Sequence, residues 1–194
     1  MPPLQAEMWA YGVLLVVLVA AAIDDVCTRK IHNWITYPAV LAGLIGHCCF
    51  GGFDLHRQPL GLSGSLIGLL VGFGPMFIAW RAGGVGGGDA KLMAAVGALA
   101  GWEFTLASLF YGFAIAGVMA VFVMLRHRIM RRTLGRVWRF VMQLMMRTKP
   151  GDPGQADSPT IALGLALAIG ATLELVDIAF GGPVTSRLFG AGGW

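Results

Sequence analysis

The sequence predicts an all-α, polytopic membrane protein with about six transmembrane helices. Of its 194 residues, 57% are hydrophobic and 12% are charged, whereas charged residues make up roughly a quarter of a typical soluble domain. Three stretches carry no charge: Leu60–Trp80 has 21 residues, Phe104–Leu125 has 22 and Ile35–Phe53 has 19. Each is long enough for a helix that crosses a membrane, because about 20 apolar residues span a hydrocarbon core of about 30 Å.

A single membrane-embedded domain, residues 1–194, accounts for the whole chain. The charge-free core of the fourth helix, Leu92–Trp102, has 11 residues, so this helix must borrow flanking residues, lie partly in protein or not span fully. The segment before the first helix contains Glu7 and no Lys or Arg, whereas a secretory signal has a basic region there, so we expect a retained first helix. The expected helices are about 8–25, 35–53, 60–80, 90–101, 104–125 and 158–176.

The basic residues predict the orientation of these helices. Three connections on one side, Asp24–Trp34, Arg81–Lys91 and Arg126–Asp157, hold 12 of the 14 Lys and Arg residues. The positive-inside rule makes that side cytoplasmic, so both termini are expected to be extracytoplasmic. This topology and contact with anionic lipid headgroups explain the net charge of +4 without nucleic-acid binding. The basic loop 126–157 has the pattern of an interfacial amphipathic helix, which would serve as a topology anchor or a substrate-docking surface.

Carboxylates near a membrane are the first candidates for chemistry, because they are costly to place there. Of the ten acidic residues, three lie at expected cytoplasmic helix ends: Asp24, Asp25 and Asp89. Others, such as Glu174, are expected at or beyond the extracytoplasmic ends. Asp89 follows a glycine-rich run, Gly83–Gly88, that permits close backbone approach. A helix N-cap is the alternative role for Asp89.

Nucleotide and metal sites are not expected. The glycine run ends Gly-Asp-Ala-Lys, whereas a phosphate-binding loop ends Gly-Lys-Ser or Gly-Lys-Thr. The three cysteines, Cys27, Cys48 and Cys49, form no C-x-x-C pair, and His47 beside them does not produce a usual zinc-ligand spacing. We therefore expect neither a metal ion nor a cofactor.

Two segments of the chain together resemble the type IV prepilin peptidase family of Gly-x-Gly-Asp aspartic peptidases. Gly86-Gly87-Gly88-Asp89 matches the Gly-x-Gly-Asp motif, and the similarity continues through Ala-Lys-Leu-Met-Ala-Ala-Val-Gly-Ala. The family's other aspartate ends an earlier helix and is followed by five residues, then Ile or Leu, Pro, and Asn or Asp. Here Asp25 is followed by five residues and then Ile31-His32-Asn33, so the spacing selects Asp25 rather than Asp24. Ser158–Gly164 resembles the Pro-containing entry to the family's last helix.

Two residues depart from the family pattern. His32 stands where the family has proline, so the turn after Asp25 lacks a rigid φ restraint. Asp24 adds a negative charge next to Asp25. We assign Asp24 an auxiliary or interfacial role; the alternative is that Asp24, and not Asp25, is the catalytic partner of Asp89.

The resemblance implies an aspartic endopeptidase in the bacterial cytoplasmic (inner) membrane, with Asp25 and Asp89 as the catalytic pair. Gly86 and Gly88 would shape the loop, and Asn33 would hold the turn after Asp25. Lys91 would orient or neutralise Asp89, or simply flank the membrane on the basic side. Two neighbouring carboxylates share a proton, so one takes a proton from water while the other polarises the scissile carbonyl; which does which is left open.

The implied substrate is a type IV or Flp-type prepilin or pseudopilin, with a basic leader and an apolar helix, cut at the cytoplasmic membrane face. Long family members also carry a zinc-binding segment with two C-x-x-C pairs and an N-methyltransferase activity. That segment is absent here, so the chain resembles the short, Flp/Tad-type members and no methylation is expected. Membrane lipids are the other expected partners, and the oligomeric state stays open.

Two alternatives come from other functional classes. One is a non-catalytic membrane protein of pilus or secretion assembly, in which His32 marks lost activity. The other is a small proton-coupled transporter, which predicts polar residues near the bilayer midplane and a repeated helix pattern. The sequence shows no such repeat, and the middle of the expected helices is almost free of charge.

Overall fold

The computed structural model describes residues 3–51, 61–126 and 162–180, together with the single helical positions 135 and 142. Most of the basic loop 126–157 and the segment 158–161 lie outside the described residues. All the elements of the described part are helices, which confirms the all-α class. They are α1 (Pro3–Thr28), α2 (Asn33–Gly51), α3 (Leu62–Arg81), α4 (Gly87–Arg126) and α5 (Leu163–Phe180).

Three of the described helices are long and apolar enough to cross a membrane. They are Met8–Thr28 of α1, all of α3, and α4. Their outward faces carry large apolar side chains such as Val16 and Ile78, which are well exposed. Contiguous apolar surface of this kind is suited to lipid and not to water. The chain is therefore a membrane protein, while the count of six spans stays a prediction.

Helix α4 is divided by a break at Gly101. This residue has φ 83° and ψ 178°, a conformation that residues with side chains rarely adopt. The break separates a first segment, 87–100, from a second segment, 102–126, and falls on the last residue of the helix expected at 90–101. In the first segment Leu92–Leu99 is buried without interruption. This segment is therefore enclosed by other helices and forms the centre of the core.

The break leaves carbonyl groups at the end of the first α4 segment without helical donors. Two side chains replace those donors. The Ser65 hydroxyl on α3 donates to the Ala98 carbonyl oxygen at 2.5 Å, and His47 Nε2 on α2 lies 2.9 Å from the Leu99 carbonyl oxygen. Because a carbonyl can only accept, His47 carries a proton on Nε2. Irregular backbone is tolerated at membrane depth only where protein groups satisfy it in this way.

Close glycine contacts fix the first α4 segment against α3. A Cβ added at Gly97 would overlap the backbone of Gly68, and one added at Gly68 would overlap the backbone of Gly97. The two helices therefore touch backbone to backbone, which is a common way to pack helices in lipid. This contact fixes the depth of α4 in the bundle and hence the position of its N-terminal end.

Helix α1 packs along α5 and also against α2. Its Leu14, Leu18 and Ala21 belong to the same buried cluster as Leu167 and Ala171 of α5. This packing places the last turns of α1 beside the first turn of α5, where the candidate site lies.

Candidate active site

Asp89 lies in the first turn of α4, which begins at Gly87. Its Oδ2 accepts a hydrogen bond from the Gly86 backbone N–H at 3.3 Å, so the carboxylate reaches back to cap the helix start. A Cβ at Gly86 would lie 3.0 Å from the same oxygen, which explains why a small residue suits that position. Asp89 is 8% exposed. It therefore acts as a cap with one oxygen, while its other oxygen faces α5.

Asp25 is buried in the last turns of α1. Its Oδ2 accepts a hydrogen bond at 2.8 Å from the backbone N–H of Leu165, 140 positions later in the chain. Leu165 belongs to the first turn of α5, where N–H groups have no partner within the helix. The positive end of the helix dipole also favours a carboxylate at this point. The start of α5 therefore holds Asp25 in place.

The two carboxylates meet at Gly164. A Cβ added to Gly164 would lie 2.9 Å from Asp25 Oδ2 and 2.9 Å from Asp89 Oδ1. No more than twice that distance therefore separates these two oxygens. At such a separation the charge of one carboxylate acts on the other. The structure thus places Asp25 and Asp89 together, with the absence of a side chain at position 164 making room for them.

Ile31 forms an apolar wall beside the pair. It is 8% exposed, and its Cδ1 would lie 2.7 Å from a Cβ on Gly164. Its backbone nitrogen and oxygen and its Cβ would lie 3.0–3.2 Å from a Cβ on Gly88. Gly88 and Gly164 therefore let Ile31 pack onto the starts of α4 and α5 at once. This packing keeps water from one side of the carboxylates. Because the dielectric constant is lower where water is excluded, electrostatic interactions of the carboxylates are stronger on that side.

Asp24 makes its contacts elsewhere, with His32 and with Thr28, whose hydroxyl lies 3.4 Å from Asp24 Oδ1. Its Oδ2 accepts the His32 backbone N–H at 2.8 Å, and its two oxygens lie 2.9 Å and 2.7 Å from His32 Nδ1. The two residues that depart from the family pattern therefore bond to each other. The carboxylate beside Asp89 is that of Asp25.

Lys91 and Asn33 join α4 to α2. Lys91 Nζ donates to Asn33 Oδ1 at 2.7 Å and lies 5.3 Å from the centre of the Tyr37 ring. Among the described side chains, no hydrogen bond or ion pair joins Lys91 to Asp89. Lys91 therefore braces the helix start that carries Asp89, through an amide on the first residue of α2.

Three residues gained importance only from the structure. Gly164 and Leu165 belong to the site through α5, although the sequence pointed there only to a helix entry. Glu174, expected at or beyond a helix end, lies inside α5 and is 1% exposed. Its Oε2 has no hydrogen-bond partner among the described residues. No three His, Cys, Asp or Glu side chains within the described ranges are arranged to hold a metal ion.

Residues 12–121 match the family model of the type IV leader peptidase family. The match covers more than half of the chain and includes Asp25, Asp89 and the whole glycine-rich loop. Gly164 and the rest of α5 lie beyond it. No curated protein and no solved structure matches the chain.

Proposed function

Because the chain belongs to the type IV leader peptidase family, we propose that it is an aspartic endopeptidase of the bacterial cytoplasmic membrane. Its proposed substrates are type IV or Flp-type prepilins or pseudopilins, whose leader peptides it removes at the cytoplasmic face. The family supports a peptidase that acts on a protein. The observation that carries the aspartic mechanism is the convergence of Asp25 Oδ2 and Asp89 Oδ1 on Gly164.

The proposed chemistry uses the two carboxylates as one unit. They share a proton, because two adjacent negative charges repel. The ionised carboxylate takes a proton from a water molecule, whose oxygen attacks the scissile carbonyl carbon. The protonated carboxyl donates a hydrogen bond to the carbonyl oxygen as negative charge develops there. When the peptide C–N bond breaks, the departing nitrogen receives the proton taken from water.

The position of the pair along the helices suits this substrate class. Asp25 lies near the C-terminal end of α1 and Asp89 in the first turn of α4. Both helices contain candidate membrane spans, so the carboxylates lie near a membrane edge. In a prepilin, the polar leader changes to an apolar helix at a defined junction. With the apolar helix in the lipid, that junction is presented at the depth of the carboxylates.

Cleavage of a co-expressed prepilin, followed by the mass of the product, tests the proposal. We expect Asp25→Asn and Asp89→Asn to lower cleavage by at least about 100-fold, since each removes a group that exchanges a proton in the reaction. Glu103→Gln is the matched control, because this exposed carboxylate lies on α4 behind the break; it should cleave normally. The product N-terminus is expected to be unmethylated.

The other outcomes of this experiment are equally informative. Loss of cleavage in Asp24→Asn together with an active Asp25→Asn enzyme would keep the enzyme class and move the site. If the wild-type protein, at normal membrane abundance, cleaves none of several prepilins, the non-catalytic assembly role replaces the peptidase.

A further inference from the structure

We propose that Asp24 and His32 are positioning residues, whose hydrogen bonds close the turn between α1 and α2 and hold Ile31 against the carboxylate pair. We call this arrangement the Asp24–His32 clasp. Its effect on catalysis rests on the proposed function, while its effect on the turn does not.

The clasp fixes both the backbone and the side chain of one residue. The Asp24 carboxylate accepts the His32 N–H at 2.8 Å and lies 2.7 Å from His32 Nδ1 at its nearer oxygen. The side chain of Asp24 is 14% exposed and that of His32 is 48% exposed. A single exposed ion pair contributes little because water and mobility weaken it. Two donors from one residue on the same carboxylate make a more rigid connection than one.

The turn itself needs such a connection. Arg29 has φ 55°, in the left-handed region that is unfavourable for residues other than glycine. The Thr28 hydroxyl lies 2.9 Å from the Lys30 carbonyl oxygen and 2.9 Å from that of Asp24, so polar groups on both sides of Arg29 are engaged. Side-chain hydrogen bonds, together with a backbone bond from the Arg29 N–H to the Asp25 carbonyl oxygen at 3.0 Å, therefore hold the turn against the preference of its own backbone.

The clasp reaches the active site through its sequence neighbours. Asp24 precedes Asp25, and His32 follows Ile31, so bonding Asp24 to His32 brings Ile31 to the level of Asp25. Ile31 then packs against Gly88 and Gly164, which belong to the helix starts that hold the two carboxylates. The clasp thereby positions the pair without touching either member.

Cleavage kinetics of the purified enzyme provide the first test. We expect His32→Leu and Asp24→Ala each to lower kcat about tenfold with KM unchanged, the size of effect given by losing one charge-assisted hydrogen bond. The double variant should be no slower than the slower single variant, because both changes break the same clasp. Cys27→Ser, on the same exposed stretch of α1, is the control and should be unaffected.

A conservative replacement separates positioning from general damage. The side-chain amide of His32→Asn can donate from nearly the place that Nδ1 occupies. We expect this variant to recover kcat to within about threefold of wild type. If His32→Asn is as slow as His32→Leu, or if His32→Leu and Asp24→Ala match the wild-type kcat, the positioning role is wrong.

Cysteine labelling tests the turn independently of any activity. In a background with Cys27, Cys48 and Cys49 changed to Ser, Ile31→Cys should react slowly with a water-soluble maleimide. Adding Asp24→Ala should speed this reaction at least about tenfold, because the turn opens. Val26→Cys, at a position that is already exposed, should react at the same rate with and without the clasp.

The two tests fail in different ways. If the labelling rate of Ile31→Cys is the same with and without Asp24→Ala, the proposal that the clasp holds Ile31 is wrong, whether or not the enzyme cleaves prepilins. If Asp24→Ala speeds the labelling of Ile31→Cys and the wild-type protein cleaves no prepilin, the effect of the clasp on the turn is supported and the proposed function is wrong.

Discussion

The two ends of the first α4 segment meet the same requirement in different ways. Both ends leave backbone groups without helical partners. At the C-terminal end, the Ser65 hydroxyl and the His47 ring bond the freed carbonyls, and both side chains are buried. At the N-terminal end, Asp89 bonds the Gly86 N–H with one oxygen and faces Asp25 across Gly164 with the other.

This difference indicates where chemistry is available in a bundle of this kind. The Ser65 hydroxyl has one proton, and so has the His47 nitrogen that faces the carbonyl, so both protons are engaged once these bonds form. A carboxylate has about four acceptor positions, and capping a helix uses only one of them. The end that is capped by a carboxylate therefore has capacity for water and substrate, whereas the other end is closed.

The largest effect is expected from closing the open end. Gly164→Ala would place a methyl carbon 2.9 Å from an oxygen of each carboxylate and 2.7 Å from Ile31 Cδ1. We expect cleavage to fall at least about 100-fold, because a shift of about 1 Å in a catalytic group can have that effect. Gly12→Ala, which meets nothing within 4 Å, is the control. Normal cleavage by Gly164→Ala would show that the carboxylates need not approach each other here.

A smaller effect, on stability rather than on chemistry, is expected at the closed end. Ser65→Ala leaves the Ala98 carbonyl buried without its donor, which costs about 1–3 kcal/mol of unfolding free energy. Ser63→Ala is a matched control on the same helix, because the Ser63 hydroxyl is buried with no partner among the described residues. Thermal unfolding in detergent measures both. Equal stability of the two variants would mean that the break does not depend on Ser65.

The smallest effect is expected from the brace beside the open end. Lys91→Met removes an exposed hydrogen bond to Asn33, so the cleavage rate should change by less than about threefold. Asn33→Ala should change the cleavage rate by a similar factor, and the double variant should cleave no more slowly than the slower single variant. A loss approaching that of Asp89→Asn would instead place Lys91 in the chemistry.

The sequence predicts the residues of the site that follow a local pattern. Asp89 is marked by the glycine run before it, and the resemblance to the family's motif, through its spacing to Ile31, distinguishes Asp25 from Asp24. The membrane sidedness predicted for both comes from where Lys and Arg are concentrated. These features depend on a few neighbouring residues, on composition and on the resemblance to a family motif, which is why they can be predicted without a structure.

Contacts between distant segments could not be predicted in the same way. Gly164 matters because α5 arrives beside both carboxylates, and nothing near position 164 encodes that approach. His47 looks like an isolated polar residue until the break at Gly101 exposes the Leu99 carbonyl. The sequence places Glu174 at or beyond a helix end because it predicts that the last helix ends near residue 176, whereas α5 continues to Phe180.

The break at Gly101 also has a consequence for the thickness of the membrane. A straight helix over the 40 residues of α4 would be about 60 Å long, twice a typical hydrocarbon core. The residues before Gly101 span only about 21 Å at 1.5 Å per residue. Because other helices enclose this segment, it need not match the thickness of the hydrocarbon core, and one of its ends can lie below the level of the headgroups. This arrangement would shorten the path between water and a peptide bond at the end of a lipid-embedded helix.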